Sequence, residues 1–492
     1  MAELRCIRVG LHPSLRQSDC EAKYVLRTLL RVAGFPYEFV WADGAEDAKP
    51  LDIYYGPAGK GVKAVVRIPY CDLSFRDAPS LEPSGMLEAD GLPQLFFRQS
   101  LSGSAGPRDV TEFASDIVFS SYWLLAGARE PSYLRDRWDN LHIDGSFFQR
   151  ASLASKPLVS VYGTRLRASL QAAGYVALER PWARDPSRVA FAFSHDVDYP
   201  ETIRWIETLR LLRARGAGAL ASISGVWRGT NHFWKFADWI EFERRFGARP
   251  AFYFLARKGS LLEYATGTPD GFYDVRSPRF RRLFGELRDQ GCEIGLHASY
   301  NAHRSVAQLR LERETLEDAA GVQVKGNRHH FWHLDPEAPH ETLRKHEEIG
   351  LAYDSSLGLE FYPGFRRGIC HPFRVFHPGE RRELDIVQIA PAWMDDHFDR
   401  RLVHNAVTDP DACARALLDA TRDTGGVLVV DYHVRGMNAD FYPRYGPWLT
   451  AFIERNADDL TFSTPGEIAD MYVQYEQRLS ALSRDRTVSG MH

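Results

Sequence analysis

The sequence predicts an α/β protein built on a parallel sheet. It divides into a smaller α/β domain over residues 1–180, a larger one over 188–475 and a polar tail at 476–492. Three observations predict this. From residue 189 onward, short apolar runs alternate with segments of helical spacing, as in repeated β–α–β units. Five of those runs end on ionisable residues, and side chains that do chemistry in parallel α/β folds project from such strand ends. The stretch ALERPWARDPSR, with two prolines and mixed charge, lies between the two patterned regions and marks a boundary near residues 178–188.

The elements follow in order. Ser18 or Asp19 caps a helix through LLRVAG, which Gly34 ends, with Pro36 close behind. YEFVWA and LDIYYG have strand character. The glycines from Gly56 to Gly61 lack the G-x-x-x-x-G-K-[ST] spacing of a phosphate loop and suit a surface loop. DIVFSSYWLLAGA and TRLRASLQAAG are helical and close the first region. Beyond the boundary, strand VAFAFS leads to helix ETIRWIETLRLLRARG. Helix WKFADWIEFERRFG pairs with strand PAFYFLA, and RFRRLFGELRDQG with EIGLH. RLERETLEDAAG precedes strand VQVKG, HETLRKHEEIG precedes LAYDS, and DACARALLDATRD precedes GVLVVDYH. The segment RRGICHPFRVFHPGERRELDIVQIA breaks the alternation as a β-rich insertion or loop. AWMDDHF (Asp395, Asp396, His397) is a further reservoir of metal-ligand types that better suits a solvated loop. An open, doubly wound sheet and a closed barrel both satisfy this pattern.

Composition bounds the function. The 492 residues carry 61 Lys and Arg against 65 Asp and Glu, a net charge of −4, which argues against a nucleic-acid footprint. The 44% hydrophobic content is that of a globular chain rather than a disordered one. No apolar run reaches the ~18–20 residues of a membrane span. The start MAELRCIRVGLHPS has no apolar segment behind a basic tip, so a secretory signal is not expected. Six scattered cysteines without a C-x-x-C pair suit reduced thiols, and a cytoplasmic location is expected. The oligomeric state is not set by these features. Its aromatic content is compatible with stacking on sugar rings, although core packing accounts for most of it.

The strand ends outline a site. VAFAFS runs into His195-Asp196-Val197-Asp198, and in an extended strand residues i and i+2 share a face, so the two carboxylates converge. Like charges that close favour an intervening cation, one carboxylate serving as ligand and the other as base. Turn or capping aspartates are the alternative for an isolated D-x-D. His297 after EIGL is a natural ligand for zinc or another borderline divalent metal, or else a hydrogen-bonded structural histidine. Arg328, beside His329 and His330, can hold one carboxylate ionised, or belong to a surface cluster. Asp354, Ser355 and Ser356 end LAY, while Asp431 and His433 end VLVV. A histidine buried behind so apolar a strand points to function.

The segments FSHDVDYP, EIGLHASYNAH, GNRHHFW, YDSSLG and VVDYHVRG, in that order, resemble the metal-dependent polysaccharide deacetylases of carbohydrate esterase family 4. The resemblance covers about residues 188–470 and is nearest to a bacterial subgroup with H-D-V-D and an extra N-terminal domain. It implies an irregular (β/α) barrel of the NodB homology type, a divalent metal cofactor such as zinc, and a carbohydrate substrate bearing N-acetyl groups. It also implies roles: Asp196 as general base, Asp198 and His297 as metal ligands, and Arg328 as the positioner of the base. His433 would protonate the leaving amine, and Asp354 would support the arginine and acid network. The second metal histidine of the family falls on Asn301 here. His330, in place of a family proline beside Arg328, is the favoured third ligand, with His303 as the fallback.

The expected function is removal of an N-acetyl group from an amino sugar in a glycan or glycan precursor. Two alternatives stand beside it: an inactive or weak glycan-binding relative, and a glycosyltransferase that holds a divalent ion through D-x-D. The first region offers no phosphate-binding glycine loop to support the latter.

Overall fold

The computed structural model describes residues 4–43, 50–57, 62–89, 92–96, 111–260, 262–263, 270–398 and 409–489. Residues 58–61 of the glycine-containing loop therefore lie outside the described residues. The first region holds strands β1 (Ile7–Leu11), β2 (Tyr37–Trp41), β3 (Leu51–Gly56) and β4 (Ala64–Pro69). The hairpin β5 (Leu87–Ala89) and β6 (Leu92–Gln94) follows, then β7 (Thr111–Glu112) and a second hairpin, β8 (Leu134–Arg135) and β9 (Leu141–His142). The main sheet has the order β2-β1-β3-β4-β7, parallel throughout. Helix Asp19–Ala33 buries Val25, Leu26, Leu29 and Leu30. Asp19 and Glu21 favour its N-terminal dipole end. Gly34 ends it in the left-handed region, at φ 85°, with its N–H on the Leu30 carbonyl.

The second region builds the larger sheet from β10 (Val189–Val197), β11 (Ala251–Phe254), β12 (Glu293–Ala298), β13 (Gly326–His329), β14 (Tyr353–Asp354), β15 (Phe373–His377), β16 (Arg382–Gln388), β17 (Trp393–Met394), β18 (Val427–Asp431) and β19 (Leu460–Ser463). Its order is β15-β16-β14-β13-β12-β11-β10-β18-β17, with β19 paired to the first half of β10 and β11 to its second half. All pairings are parallel except the β15–β16 hairpin, into which the predicted β-rich insertion folds. The sheet is a curled half-barrel edged by β15 and β17. That decides between the two expected forms: among the described residues the sheet stays open.

One expectation changes. VQVKG is not a strand. Strand β13 begins at Gly326, so Asn327, Arg328 and His329 lie within it and their side chains alternate between its faces. Gly326 is required there, because a Cβ would overlap the Tyr353 ring on the neighbouring strand. Helix Pro465–Ser489 enters the tail region at residue 476, and Tyr475 and Leu479 pack in one cluster with Leu178 and Trp182.

The boundary segment itself is packed. Leu178, Arg180 and Trp182 are buried, and Arg180 donates to the carbonyls of Val32 and Thr424. A half-buried ion-pair chain also joins the regions: Arg31 meets Glu383 at 2.8 Å and Glu476 at 3.0 Å, and Arg374 meets Glu476 at 2.8 Å. One apolar core includes side chains of both sheets.

Candidate active site

Register alone gathers the chemistry. His297 of β12 is paired with Arg328 of β13, and Ser194 of β10 with Asp431 of β18. Asp196 lies near the end of β10, opposite Tyr253 of β11, and Asp198 stands one residue beyond the strand. Asp198, His297 and His330 place their ligand atoms within 4.8 Å of one another, all buried.

The hydrogen bonds orient these donors. His297 Nδ1 lies 2.7 Å from the Arg328 carbonyl, which can only accept, so Nδ1 carries the proton. In the neutral ring, Nε2 then turns its lone pair toward Asp198 Oδ1 at 3.1 Å. His330 repeats the arrangement, with Nδ1 3.2 Å from Asp270 Oδ1 and Nε2 3.7 Å from the same Asp198 oxygen. That buried Nε2 has no hydrogen-bond partner. Burial pulls the His297 imidazole down, but Asp196 and Asp198 raise it above the ordinary histidine value, so the two rings converge on one carboxylate oxygen at a place that favours positive charge. The residues therefore fit a divalent ion, with two imidazoles and a carboxylate as donors and Arg328 O and Asp270 fixing the rings from behind.

Asp196 sits beside this triad. Its Oδ1 accepts from Arg328 Nη1 at 3.0 Å, and its Oδ2 lies 3.7 Å from His297 Nε2. Burial alone would raise its carboxyl, but His297 and Arg328 outweigh burial and hold it below the usual range. It is ionised. Arg328 is fully buried: it donates to Ser194 Oγ and Ser355 Oγ, pairs with Asp431 at 2.9 Å, and lies over the Tyr253 ring.

His433 lies across Asp198 from the histidine pair. Its Nε2 is 3.0 Å from Asp198 Oδ2 and its Nδ1 is 2.7 Å from Asp395 Oδ1. Burial and Arg435 push its pKa down, yet Asp395 and Asp198 prevail and raise it well above the ordinary histidine value. The ring thus carries both protons. Asp198, also held by Arg435 at 2.8 Å, is well below the carboxylate range: His433, His330 and Arg435 outweigh its burial. His433, at 7% exposure, and Arg435, half-buried, are the most open of these groups, so the site faces solvent on their side.

The geometry corrects several expectations. Asp354 does not touch Arg328. It binds Asn327, Ser356 and, at 3.2 Å, His346, because it is the register partner of Asn327, whose side chain faces away from Arg328. Asp431 supports the arginine instead. His303 is also elsewhere, hydrogen-bonded to the Tyr300 carbonyl and packed on His333. AWMDDHF is no solvated loop: Asp395 and His397 are each 1% exposed. His195, on the other face of β10, is structural. Its Nδ1–H donates to the Tyr432 carbonyl and its Nε2 faces Glu243 at 2.7 Å. Burial drives the histidine down to about 3 and Glu243 well up, so a neutral carboxyl donates to a neutral ring. The sequence marks Asp431 as a strand-end group and Asp395 as one of a set of ligand types but gives neither this role; Arg435 lies inside the VVDYHVRG segment without standing out, and Asp270 has no sequence signal. Just after His330, Phe331 and Trp332 both adopt positive φ, at 59° and 47°. This strained turn brings Trp332 Nε1 to Asp431 at 3.3 Å.

No family model and no curated protein matches the chain. Among solved structures it is similar to a protein described as a polysaccharide deacetylase from Mycobacterium smegmatis, at 20% identity over 60% of this chain and 93% of that one, with a TM-score of 0.38. A second so described, from Pseudomonas aeruginosa PAO1, has 13% identity, coverage of 60% and 94%, and a TM-score of 0.37. An allantoinase matches at 13% identity with the same coverage and a TM-score of 0.38. Identities and TM-scores this low assign no chemistry. The site rests on its own geometry.

Proposed function

We propose that the protein is a metal-dependent hydrolase that removes an N-acetyl group from an amino sugar of a glycan or glycan precursor. One observation carries this reading: a histidine–histidine–aspartate donor set flanked on one side by a carboxylate held by Arg328 and on the other by His433, set between Asp198 and Asp395. Base, cation site and acid in that sequence are what amide hydrolysis needs.

Asp198, His297 and His330 would hold the ion, and zinc suits two imidazoles and a carboxylate. Once bound, such an ion polarises an acyl oxygen and acidifies a water. The chain's own groups handle the protons. Asp196, kept anionic and oriented by Arg328, accepts one from the attacking water. His433, steadied by Asp395, delivers one from Nε2 to the departing nitrogen as the C–N bond breaks, leaving acetate and a free amine. Asp431 keeps Arg328 in place from behind. The glycosyltransferase alternative needs both aspartates of D-V-D at a metal, and the engagement of Asp196 by Arg328 argues against it.

The test combines elemental analysis with acetate release from a panel of N-acetylated sugars. Asp198→Ala is expected to lose both metal and activity. Asp196→Asn is expected to keep its metal while kcat falls by about 10²–10⁴-fold. Full turnover in either variant would sink the assignment.

A further inference from the structure

Six of the ten exposed large hydrophobic residues among those described lie on one pair of helices, Arg204–Arg215 and Leu220–Arg228. On the first, Trp205, Leu209 and Leu212 fall at i, i+4 and i+7 and form an outward stripe, with Ile206 beside it. On the second, Leu220 and Trp227 lie two turns apart and are also exposed. The Trp205 and Trp227 rings meet edge to face at 4.7 Å, so the two stripes join. Inward, the first helix buries only Glu207 and Leu211. Its larger apolar face is the one turned to water, which is unfavourable unless something covers it.

The charge around that face selects the cover. Arg204, Arg210, Arg213, Arg215 and Arg228 lie on these helices, in a chain whose net charge is −4. Glu207, buried, takes Arg210, and Asp440 takes Arg215. Arg204, Arg213 and Arg228 have no ion-pair partner among the described residues. A second copy docked through the same face would set like charges against each other. Anionic headgroups complement them instead, while Leu, Ile and Trp enter the acyl boundary and the arginine stems extend toward the phosphates.

We propose that this helix pair docks the protein on an anionic lipid surface. No helix of the described chain is long and apolar enough to cross a membrane, so the attachment is peripheral. The surface adjoins the candidate site. Arg210 donates to the Tyr442 hydroxyl at 3.3 Å, Arg435 lies over that same ring, and Arg435 holds Asp198. Docking would present the site to a glycan carried on a membrane lipid. That last step, and only that one, rests on the deacetylase reading.

The full-length protein is sedimented with phosphatidylcholine vesicles with and without phosphatidylglycerol, and tryptophan emission is followed. Co-sedimentation that requires phosphatidylglycerol, weakens with salt and shifts the emission to the blue is expected. Combined Leu209→Ser and Leu220→Ser substitution should weaken binding about tenfold or more with an unchanged melting temperature, as two exposed leucines contribute little to the fold. Arg213→Glu with Arg228→Glu should do the same through charge. No binding, or binding untouched by both variants, overturns the proposal. So does a concentration-dependent dimer that the leucine variant dissolves without any vesicle binding. Because sedimentation needs no turnover, vesicle binding without acetate release would retain the docking surface and reject the deacetylase reading.

Discussion

His433 illustrates how single residues are tuned by what surrounds them. Alone behind an apolar strand its imidazole would be neutral; the carboxylates of Asp395 and Asp198 keep it charged against burial and Arg435. An acid works while protonated, so activity falls as pH rises through its pKa. Asp395→Asn removes one of the two carboxylates that raise that value. The alkaline limb of kcat/KM should therefore move to lower pH, with kcat reduced about 10²-fold and metal content unchanged. A pH profile of the variant beside the parent checks this; an unmoved limb would separate His433 from the acid role. The two aspartates of the D-V-D segment differ in the same way. Asp196 answers to Arg328 while Asp198 answers to the histidines, and no property of the tripeptide distinguishes them.

Strand β13 shows what an element contributes. Its alternation turns Asn327 to Asp354 and Arg328 to Asp196, so two adjacent residues serve opposite faces of the sheet. Gly326 lets the strand pass the Tyr353 ring, and Gly326→Ala would push the strand off that ring. We expect a loss of about 1–3 kcal/mol in urea unfolding, together with reduced kcat as the Arg328 guanidinium shifts from Asp196. Much of this element is legible in the sequence: GNRHHFW stands out as a unit, with Arg328 and His330 as its candidate site residues. Its limits are not. The run VQVKG has strand composition yet precedes the strand, because pairing with β12 and β14, rather than local propensity, decides where the ladder begins. Asp354 was misassigned for the same reason, its partner being set by register.

At the scale of the molecule, burial of ionisable groups ties stability to pH. His303 is pulled down to about 4, first by burial and then by the neighbouring His333. The unfolded chain takes up that proton near pH 6.5 and the folded one only near 4. Between those values the unfolded state binds more protons, and stability is lost as pH falls. His303→Gln removes this dependence, flattening the decline from pH 6.5 to 4 by about 3 kcal/mol. Chemical denaturation of both proteins across that range measures it; parallel curves would contradict the histidine's depressed value. The same scale explains the packed boundary. Residues 178–188 have linker composition, but Arg180 and Trp182 bind carbonyls from both regions and Leu178 and Trp182 are packed, while residues 184–187 are exposed.

The sequence by itself determined the α/β class with a parallel sheet and placed ionisable residues at the ends of several strands, since these follow from periodicity and chain direction. The resemblance carried by its motifs pointed to Asp198, His297 and His330 as candidate ligands, with His303 as the fallback. Only the tertiary structure decided that the sheet stays open among the described residues, that Asp431 rather than Asp354 backs Arg328, that Asp395 stands behind His433, and that Asp270 fixes His330. Each of these joins residues from segments distant in sequence. Strand register and packing bring them within hydrogen-bond range, and neither is encoded in any local stretch of residues.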